Sequence, residues 1–405
     1  MKDFERSAKR PSISCLLLTA YRGSPFNLSS ILFSPHTGEA LSTSRLFSHR
    51  IQGKPFQPLV YSLLTAYRGM AFLLKCFGGC GSTSMQQPSA TIEDLCHRFS
   101  LAQLRKSTNH FDQSLIIEEV GFYLAYKVCI SINGEPKDVI VERLERKFVY
   151  SDLQLVKNNI IYRCQLHHPN VVSLVGFCDD ENEMIVVYDY VPNGSLYNQL
   201  KSKSATISWK KRLEISIGVA RGLHYLHSGT KRTLIHRNPT PSAILLDENW
   251  VPKLSFFWFS LKGPKFSEKD VRPIEADVAG SIGYIAPESY RGTNVTHKSD
   301  VFSFGAVLFE LICGKPPFPV RRQIDFRDVK ELHNLAETGH AEEIFDQHLM
   351  GEIAAECWKL YMDITESCLS EDPDERPDMG EVEVLLERAL QLQEEADNNL
   401  AFHAS

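Results

Sequence analysis

The chain has 405 residues, 43% of them hydrophobic, and a formal net charge of -6. That apolar content can bury a large core in two lobes or domains, and the slightly acidic balance gives no global signal for nucleic acid. Ten cysteines without one CxxC pair argue against zinc and against a disulfide framework and fit a reducing compartment; no uninterrupted apolar run of about 18 residues marks a membrane span.

Residues 1–95 read as a disordered N-terminal extension. Across 1–69 Ser and Arg abound, and Asp3, Glu5 and Glu39 are the only acids. Transit peptides share that acid-poor composition, but acids so close to Met1 suit one badly. LLTAYRG stands at 17–23 and again at 63–69, one short repeat that does not make a solenoid. An upstream piece, with Met70 as the working start, is the other reading. Cys76 and Cys80 follow an apolar cluster and Lys75. S-acylation there would give peripheral membrane contact; two ordinary cysteines in a tail is the plain alternative. The expected location is cytoplasmic, with plasma-membrane association resting on Cys76 and Cys80.

Residues 96–113 form a short helical lead-in, where Ser100 and Gln103 have the spacing of a capping box. Residues 114–191 hold short alternating runs rich in Val, Ile and Tyr, such as DVIVERL and MIVVYDY, which predict a small antiparallel sheet. From 192 to 392 helical periodicity takes over. Leu213, Ile217, Ala220, Leu223 and Leu226 share one stripe stopped by Gly229; Val382, Leu385, Leu386 and Ala389 share another over 379–396. Residues 393–405 are expected as a flexible tail. The predicted class is α+β, a β-rich lobe followed by an α-rich lobe.

Five stretches carry a family resemblance: FSLAQLRKSTNHF from Phe99, HHPNVVSLVGFC (167–178), EMIVVYDYVPNGSL (183–196), SWKKRLEISIGVARGLHYLHSG (208–229) and KSDVFSFGAVLFEL (298–311). In this order they resemble plant receptor-like protein kinases, and the words SLKGP and GSIGY are similar to the FERONIA-type branch. With no ectodomain ahead of them, a receptor-like cytoplasmic form is expected. The resemblance implies a bilobal protein-kinase fold: a small antiparallel-sheet N-lobe with one helix, then a larger, mainly helical C-lobe. It also implies ATP and magnesium as the family's cofactors.

The catalytic positions depart from the family pattern one after another. The glycine loop reads IEEVGFYLAYK, with Glu118, Val120 and Tyr123 where glycines let backbone N–H groups approach phosphate. Glu142 replaces the lysine that grips the α- and β-phosphates. An acid beside triphosphate turns a favourable term of roughly 4 kcal/mol per charge pair, at 4 Å and an effective dielectric near 20, into a penalty. Ile140 stands where a small residue roofs the adenine, and its extra carbons crowd that site. The acid that pairs with the lysine falls at Asn159. Arg163, one turn on, takes a position the family fills with Leu; a buried unpaired guanidinium is costly, so either the helix turns it to the surface or it meets an acid. Tyr188 is an ordinary gatekeeper.

The loop LIHRNPTPSAILLD (234–247) keeps His236 and Arg237 as scaffold and loses its chemistry. Asn238 stands for the Asp that takes the substrate proton, Thr240 for the Lys and Ala243 for the metal-binding Asn. Leu245 lies in the apolar strand that follows, at a nucleotide-site position. Phe256, Phe257 and Trp258 replace D-F-G, which removes the second metal carboxylate and supplies aromatic bulk able to fill the cleft. Where relatives carry a phosphorylated residue, Glu275 and Ala276 stand; Glu275 pairs with Arg237 as a fixed substitute, or else is a solvated acid. The structural anchors are intact: Glu288 is expected to pair with Arg376, and Asp300 to hold the catalytic-loop backbone.

The resemblance and its departures together predict a pseudokinase, with no metal or nucleotide cofactor expected. It would act as a protein-binding scaffold or regulator in plant receptor-kinase signalling, with active receptor-like kinases or immune receptors as partners and no nucleic acid. A weak or unorthodox ATP-dependent Ser/Thr kinase, for example with Lys127 supplying the lost cation, is the alternative; an unproductive gene copy is a third.

Overall fold

The structure, a computed structural model, describes residues 96–404 except 121–122, 133, 146–159, 161, 203–205, 266–272, 291–293, 315–345 and 350. Cys76, Cys80, Asn159 and Gly121 therefore lie outside the described residues, as does the whole extension.

Alternating burial along the chain builds the N-lobe sheet. Strands β1 (His97–Arg98), β2 (Ile116–Val120), β3 (Tyr123–Ile132), β4 (Glu135–Leu144), β5 (Leu174–Cys178) and β6 (Ile185–Asp189) lie in the order β1-β5-β6-β4-β3-β2. The β2-β3, β3-β4, β4-β6 and β5-β6 pairs are antiparallel, as the sequence predicts. β1 differs: it joins β5 in parallel, His97 opposite Gly176. Two residues are too short a run for periodicity to reveal. Its backbone crowds Gly176 so closely that a Cβ there would sit 2.3 Å from the His97 carbonyl oxygen and 2.6 Å from the Phe99 ring. Arg98 fastens it further through Asp179, at 2.7 Å, and Asp180, at 3.1 Å.

Helix α1 (Leu101–Ser107) starts at the expected capping box: the Gln103 amide donates to Ser100 Oγ at 3.2 Å, and the Ser100 amide donates to Gln103 Oε1 at 2.8 Å. Its Leu101 and Leu104 close an apolar cluster with Phe99, Tyr126, Val139, Val141 and Val187. The lead-in is thus packed onto the sheet. Between β4 and β5, Ile160, Tyr162 and Arg163 are helical, with Ile160 facing the core.

In the C-lobe run α2 (Leu196–Lys201), α3 (Trp209–His224), α4 (Pro287–Tyr290), α5 (His297–Cys313), α6 (Ala355–Cys368) and α7 (Met379–Ala404). Short pairs β8 (Ile244–Leu246) with β9 (Pro252–Leu254), and β7 (Arg232–Ile235) with β10 (Leu261–Lys265), flank the catalytic loop. α5 is buried on every face from Ser299 to Cys313, as a helix apolar nearly all round should be. Gly314 ends it in the left-handed region, φ 63°, and its N–H reaches the Glu310 carbonyl at 2.8 Å. The α3 stripe is buried as predicted, with Leu226 in the π turn that follows. Two expectations on α7 fail. Leu385 is 39% exposed, because the buried face runs through Val382, Leu386 and Ala389; and residues 393–404, expected as a flexible tail, continue the helix. No helix among the described residues is long and apolar enough to cross a membrane.

Candidate functional site

At the floor of the interlobe cleft, Asp300 of α5 holds the loop between β7 and β8. Its carboxylate accepts from the His236 amide at 2.7 Å, the Arg237 amide at 2.6 Å and His227 Nε2 at 2.9 Å. Burial pushes the Asp300 carboxyl up, but the hydrogen bonds from His227 and the loop amides and the electrostatic pull of the two neighbouring imidazoles outweigh it and hold it below the usual range. Arg237 takes φ 68°, a left-handed conformation that a non-glycine residue adopts at a cost of about 1–3 kcal/mol when its surroundings hold it there. His236 is buried, which lowers its pKa and keeps the ring neutral. Its Nε2 donates to the Ser255 carbonyl at 2.8 Å, and its Nδ1 accepts from the Asn238 amide at 3.3 Å, which fixes the tautomer.

Of the three changed loop positions, Asn238 makes a side-chain bond among the described residues and the other two do not. Asn238 is buried, and its Oδ1 accepts from the Ser281 amide at 2.8 Å, tying the loop to the activation segment. Thr240 is buried with Oγ1 unbonded among the described residues. The Ala243 carbonyl accepts from Ser255 twice, from its amide at 2.8 Å and its hydroxyl at 3.0 Å. Leu245 on β8 is half-buried against the main core, as is Ile140 across the cleft.

The segment anchor is the expected one. Arg376, 1% exposed, grips Glu288 with both terminal nitrogens, at 2.8 and 2.9 Å. It also donates to the carbonyls of Ser370, Lys298 and Glu371. Burial raises the Glu288 carboxyl, and the Arg376 hydrogen bonds and charge overcome that to leave it lowered.

The roof of the cleft is where the substituted side chains meet. Glu142 lies on β4, and Trp258 lies in the 3₁₀ turn after β9; Trp258 Nε1 donates to Glu142 Oε2 at 3.0 Å. Phe256 sits in the left-handed region, φ 62°, and that turn of the chain carries Phe257 inward. Phe257 is 2% exposed and packs on His236, ring centroids 4.8 Å apart. Tyr123 stacks over Trp258 at 6.0 Å and meets Phe256 at 6.2 Å. Its hydroxyl donates to Glu118, whose carboxyl is raised by the protein crowded around it although the residue as a whole is largely open. Val120 ends β2 opposite Tyr123.

Arg163 enters this cluster from the helix. It is 5% exposed, and its guanidinium carbon lies 4.6 Å from the Tyr188 ring centroid, 5.2 Å from Trp258 and 5.6 Å from Phe257. The surface alternative for Arg163 is thus wrong. The acid it faces is Glu142, and the two charges act on each other. Burial pushes Glu142 up to about 7 against the pull of Arg163, and burial pushes Arg163 down to about 10. Desolvation wins on both sides although aromatic faces, worth about 0.5–2 kcal/mol each, hold the guanidinium: among the described residues Nε and Nη2 of Arg163 and the Tyr188 hydroxyl have no hydrogen-bond partner.

The expected Glu275–Arg237 pairing is not what the loop adopts. Glu275 is exposed, and Arg237 donates to the backbone carbonyls of Phe259 and Asp277. Carbonyls of the neighbouring turns supply what a carboxylate would have supplied. Lys127, a candidate replacement cation, stands over the Tyr190 ring at 3.6 Å.

The family model for protein tyrosine and serine/threonine kinases matches residues 125–386. The chain belongs to this kinase family. It is 43% identical to receptor-like protein kinase ANXUR1 of Arabidopsis thaliana over 307 residues, 75% of this chain and 35% of that one. It is 38% identical to receptor-like protein kinase FERONIA of the same plant over 322 residues, 78% of this chain and 35% of that one. Receptor-like protein kinase HERK 1 matches at 40% over 309 residues, 74% of this chain and 35% of its own. The FERONIA-type branch read from the motifs is supported. This kinase-fold chain spans about a third of the length of these relatives.

Within the kinase fold, the structure gathers Tyr123, Glu142, Tyr188, Trp258 and Arg163 into one cluster and sets the loop residues Asn238, Thr240 and Ala243 below it. Two contacts were not foreseen: Trp258 with Glu142, and Asn238 with Ser281. The available signal for the first was coincidence: an acid at the lysine position and an indole N–H donor at the metal-loop glycine position occur in the same chain.

Proposed function

We propose that the protein is a catalytically impaired member of its family that acts by binding other proteins. The observation that carries this is the Trp258–Glu142 hydrogen bond. Phosphoryl transfer depends on placing a lysine and metal-bound carboxylates around the phosphates. Here the residue at the lysine place is bonded to Trp258, two positions beyond the place of the metal carboxylate, with Arg163 and Tyr123 packed beside them. The residues present do not fit a magnesium–triphosphate group: Phe256 and Ala243 offer no metal ligand, Asn238 spends its oxygen on Ser281, and Glu118 and Glu142 offer carboxyls where a glycine amide and a cation are needed. Among the described residues no three His, Cys, Asp or Glu side chains are grouped to hold a metal.

What remains is a kinase-fold surface whose C-lobe anchors, Asp300 and Glu288–Arg376, are complete. Those suit a scaffold or regulator whose partners are active receptor-like kinases or immune receptors of a plant signalling pathway. A thermal-shift titration with ATP, with and without magnesium, tests the reading: a native-state ligand must raise the melting temperature once its concentration exceeds Kd. No shift at millimolar ATP is expected. A magnesium-dependent rise, or label transfer from radioactive ATP that exceeds a Glu142→Lys, Asn238→Asp variant, overturns it.

A further inference from the structure

We propose that the guanidinium of Arg163 and the hydroxyl of Tyr188 form a binding site for a small monocarboxylic acid, held as its carboxylate under the roof of the cleft. Both side chains are buried, each residue 5% exposed, and the guanidinium carbon stands 4.6 Å from the Tyr188 ring centroid. Nε and Nη2 of Arg163 and the Tyr188 hydroxyl are shut off from solvent and have no hydrogen-bond partner among the described residues. Nε and Nη2 share one edge of the planar guanidinium, the edge that takes both oxygens of a carboxylate side-on. The same sheet shows such an edge in use. Arg143, next to Glu142 on β4, meets the fully buried Glu183 with Nε 2.8 Å from Oε2 and Nη2 2.7 Å from Oε1.

Glu142, the acid that Arg163 faces, does not fill this edge; its Oε2 accepts from Trp258 instead. Burial lowers Arg163 only to about 10, so the guanidinium keeps its charge at neutral pH. An ordered water would satisfy the hydrogen bonds and leave that charge uncompensated, which is costly in a buried place. A carboxylate supplies both the acceptors and the charge. Glu142, pushed up to about 7 by burial, can take a proton beside an arriving anion and so need not oppose it.

The surrounding rings define the rest of the ligand. Besides Tyr188, Trp258 and Phe257 lie with their centroids 5.2 and 5.6 Å from the guanidinium carbon. The group attached to the carboxylate therefore meets aromatic faces, and apolar walls with a few fixed polar groups are what small-molecule sites are made of. Of the three rings only Trp258 is half-buried, so a ligand enters by way of it, and walls this close keep the ligand small. The Tyr188 hydroxyl, on the rim of the ring that the guanidinium covers, supplies a third donor. None of this rests on the cleft's being unfit for nucleotide, because neither Arg163 nor Tyr188 belongs to the altered phosphate and metal positions.

The test is a thermal-shift titration of the full chain at pH 7 and constant ionic strength. Sodium acetate and sodium benzoate are compared with sodium chloride and with benzamide, the neutral counterpart of benzoate. A saturable rise in melting temperature with a carboxylate, half complete at about 1 mM or below, is expected, and none with chloride or benzamide. Arg163→Lys keeps the charge without the two-nitrogen edge and should weaken the response at least tenfold, a floor on the order of one lost charged hydrogen bond. Tyr188→Phe keeps the ring and removes the third donor. It should weaken the response about tenfold, while the melting temperature without ligand holds or rises because a buried hydroxyl lacking a partner is gone. No rise with either carboxylate, a rise matched by chloride or benzamide, or a rise unchanged in both variants overturns the proposal. Should Arg163→Lys not fold, Tyr188→Phe and the comparison of benzoate with benzamide in the unaltered protein still decide. ATP with magnesium, titrated in parallel, separates the two readings: a response to it overturns the impaired-kinase reading and leaves the carboxylate result standing on its own.

Discussion

The indole Nε1 of Trp258 stands 3.0 Å from Oε2 of Glu142. A residue from the metal loop and a residue from β4 therefore satisfy each other across the interlobe cleft. Replacing Trp258 by Phe removes the donor and keeps most of the bulk. A hydrogen bond to a carboxyl that titrates near 7 falls between a neutral pair's contribution of about 0.5–1.5 kcal/mol and a charged one's of about 1.5–3 kcal/mol, so a loss of about 1–2 kcal/mol is expected in urea unfolding at neutral pH. Trp258→Ala removes the stacking on Tyr123 as well and should cost about 3 kcal/mol. Equal, negligible effects for both would mean that the contact does not hold the lobes.

Glu142 gives a pH dependence of unusual sign. Its folded pKa, about 7, lies above the ordinary carboxylate value. The folded state therefore holds the proton more tightly than the unfolded chain, and stability falls as pH rises from about 4.5 to 7, then levels off. This is opposite to a salt-bridged carboxylate. Glu142→Gln keeps a carbonyl that can accept from Trp258 and removes the titration. The stability of the unaltered protein relative to that variant should drop by about 1–3 kcal/mol between pH 5 and pH 7. Glu310, also pushed up to about 7 by burial, is present in both proteins and cancels in the comparison. A flat difference across the window would rule out a protonated Glu142.

Asn238 bonds the Ser281 amide through Oδ1. Asn238→Ala leaves that amide without its acceptor at a part-buried site, which costs about 1–3 kcal/mol. Asn238→Asp retains an acceptor oxygen and should stay within about 1 kcal/mol of the unaltered protein. Chemical denaturation of the two variants separates the cases. The Asp variant should still fail to transfer phosphate, because Glu142, Ala243 and Phe256 are unchanged.

Breaking Glu288–Arg376 should be the most damaging of these changes. Glu288→Ala leaves a buried guanidinium without its two charged acceptors, and about 3–5 kcal/mol is expected. Glu288→Gln, which keeps one acceptor, should cost less. Melting temperatures by calorimetry would order the series; an Ala variant as stable as the Gln variant contradicts the buried-pair account.

The division into a β-rich and an α-rich lobe was legible because alternation and 3.6-residue periodicity each ran over long stretches. The anchors His236, Asp300, Glu288 and Arg376 were legible because their words stand unaltered. What chain order hid was proximity. Arg163 and Glu142 are 21 positions apart in the chain, so a surface arginine and a buried one read alike in sequence. Glu275 was misplaced for a different reason: a charged partner is easy to count, whereas backbone carbonyls such as those of Phe259 and Asp277 compete for the same guanidinium without any sequence signature. Leu385 shows the limit of a helical stripe, since a slip of one position moves a side chain by about 100°.

Gly176 has a practical consequence for anyone preparing the N-lobe. The absence of a side chain there lets the His97 backbone dock against β5. A fragment trimmed to the family match, starting at Ala125, would strip away α1 and both outer strands of the sheet. It would uncover the apolar face formed by Tyr126, Val139 and Val187. Such a fragment should aggregate, whereas one that begins ahead of Cys96 should remain dispersed.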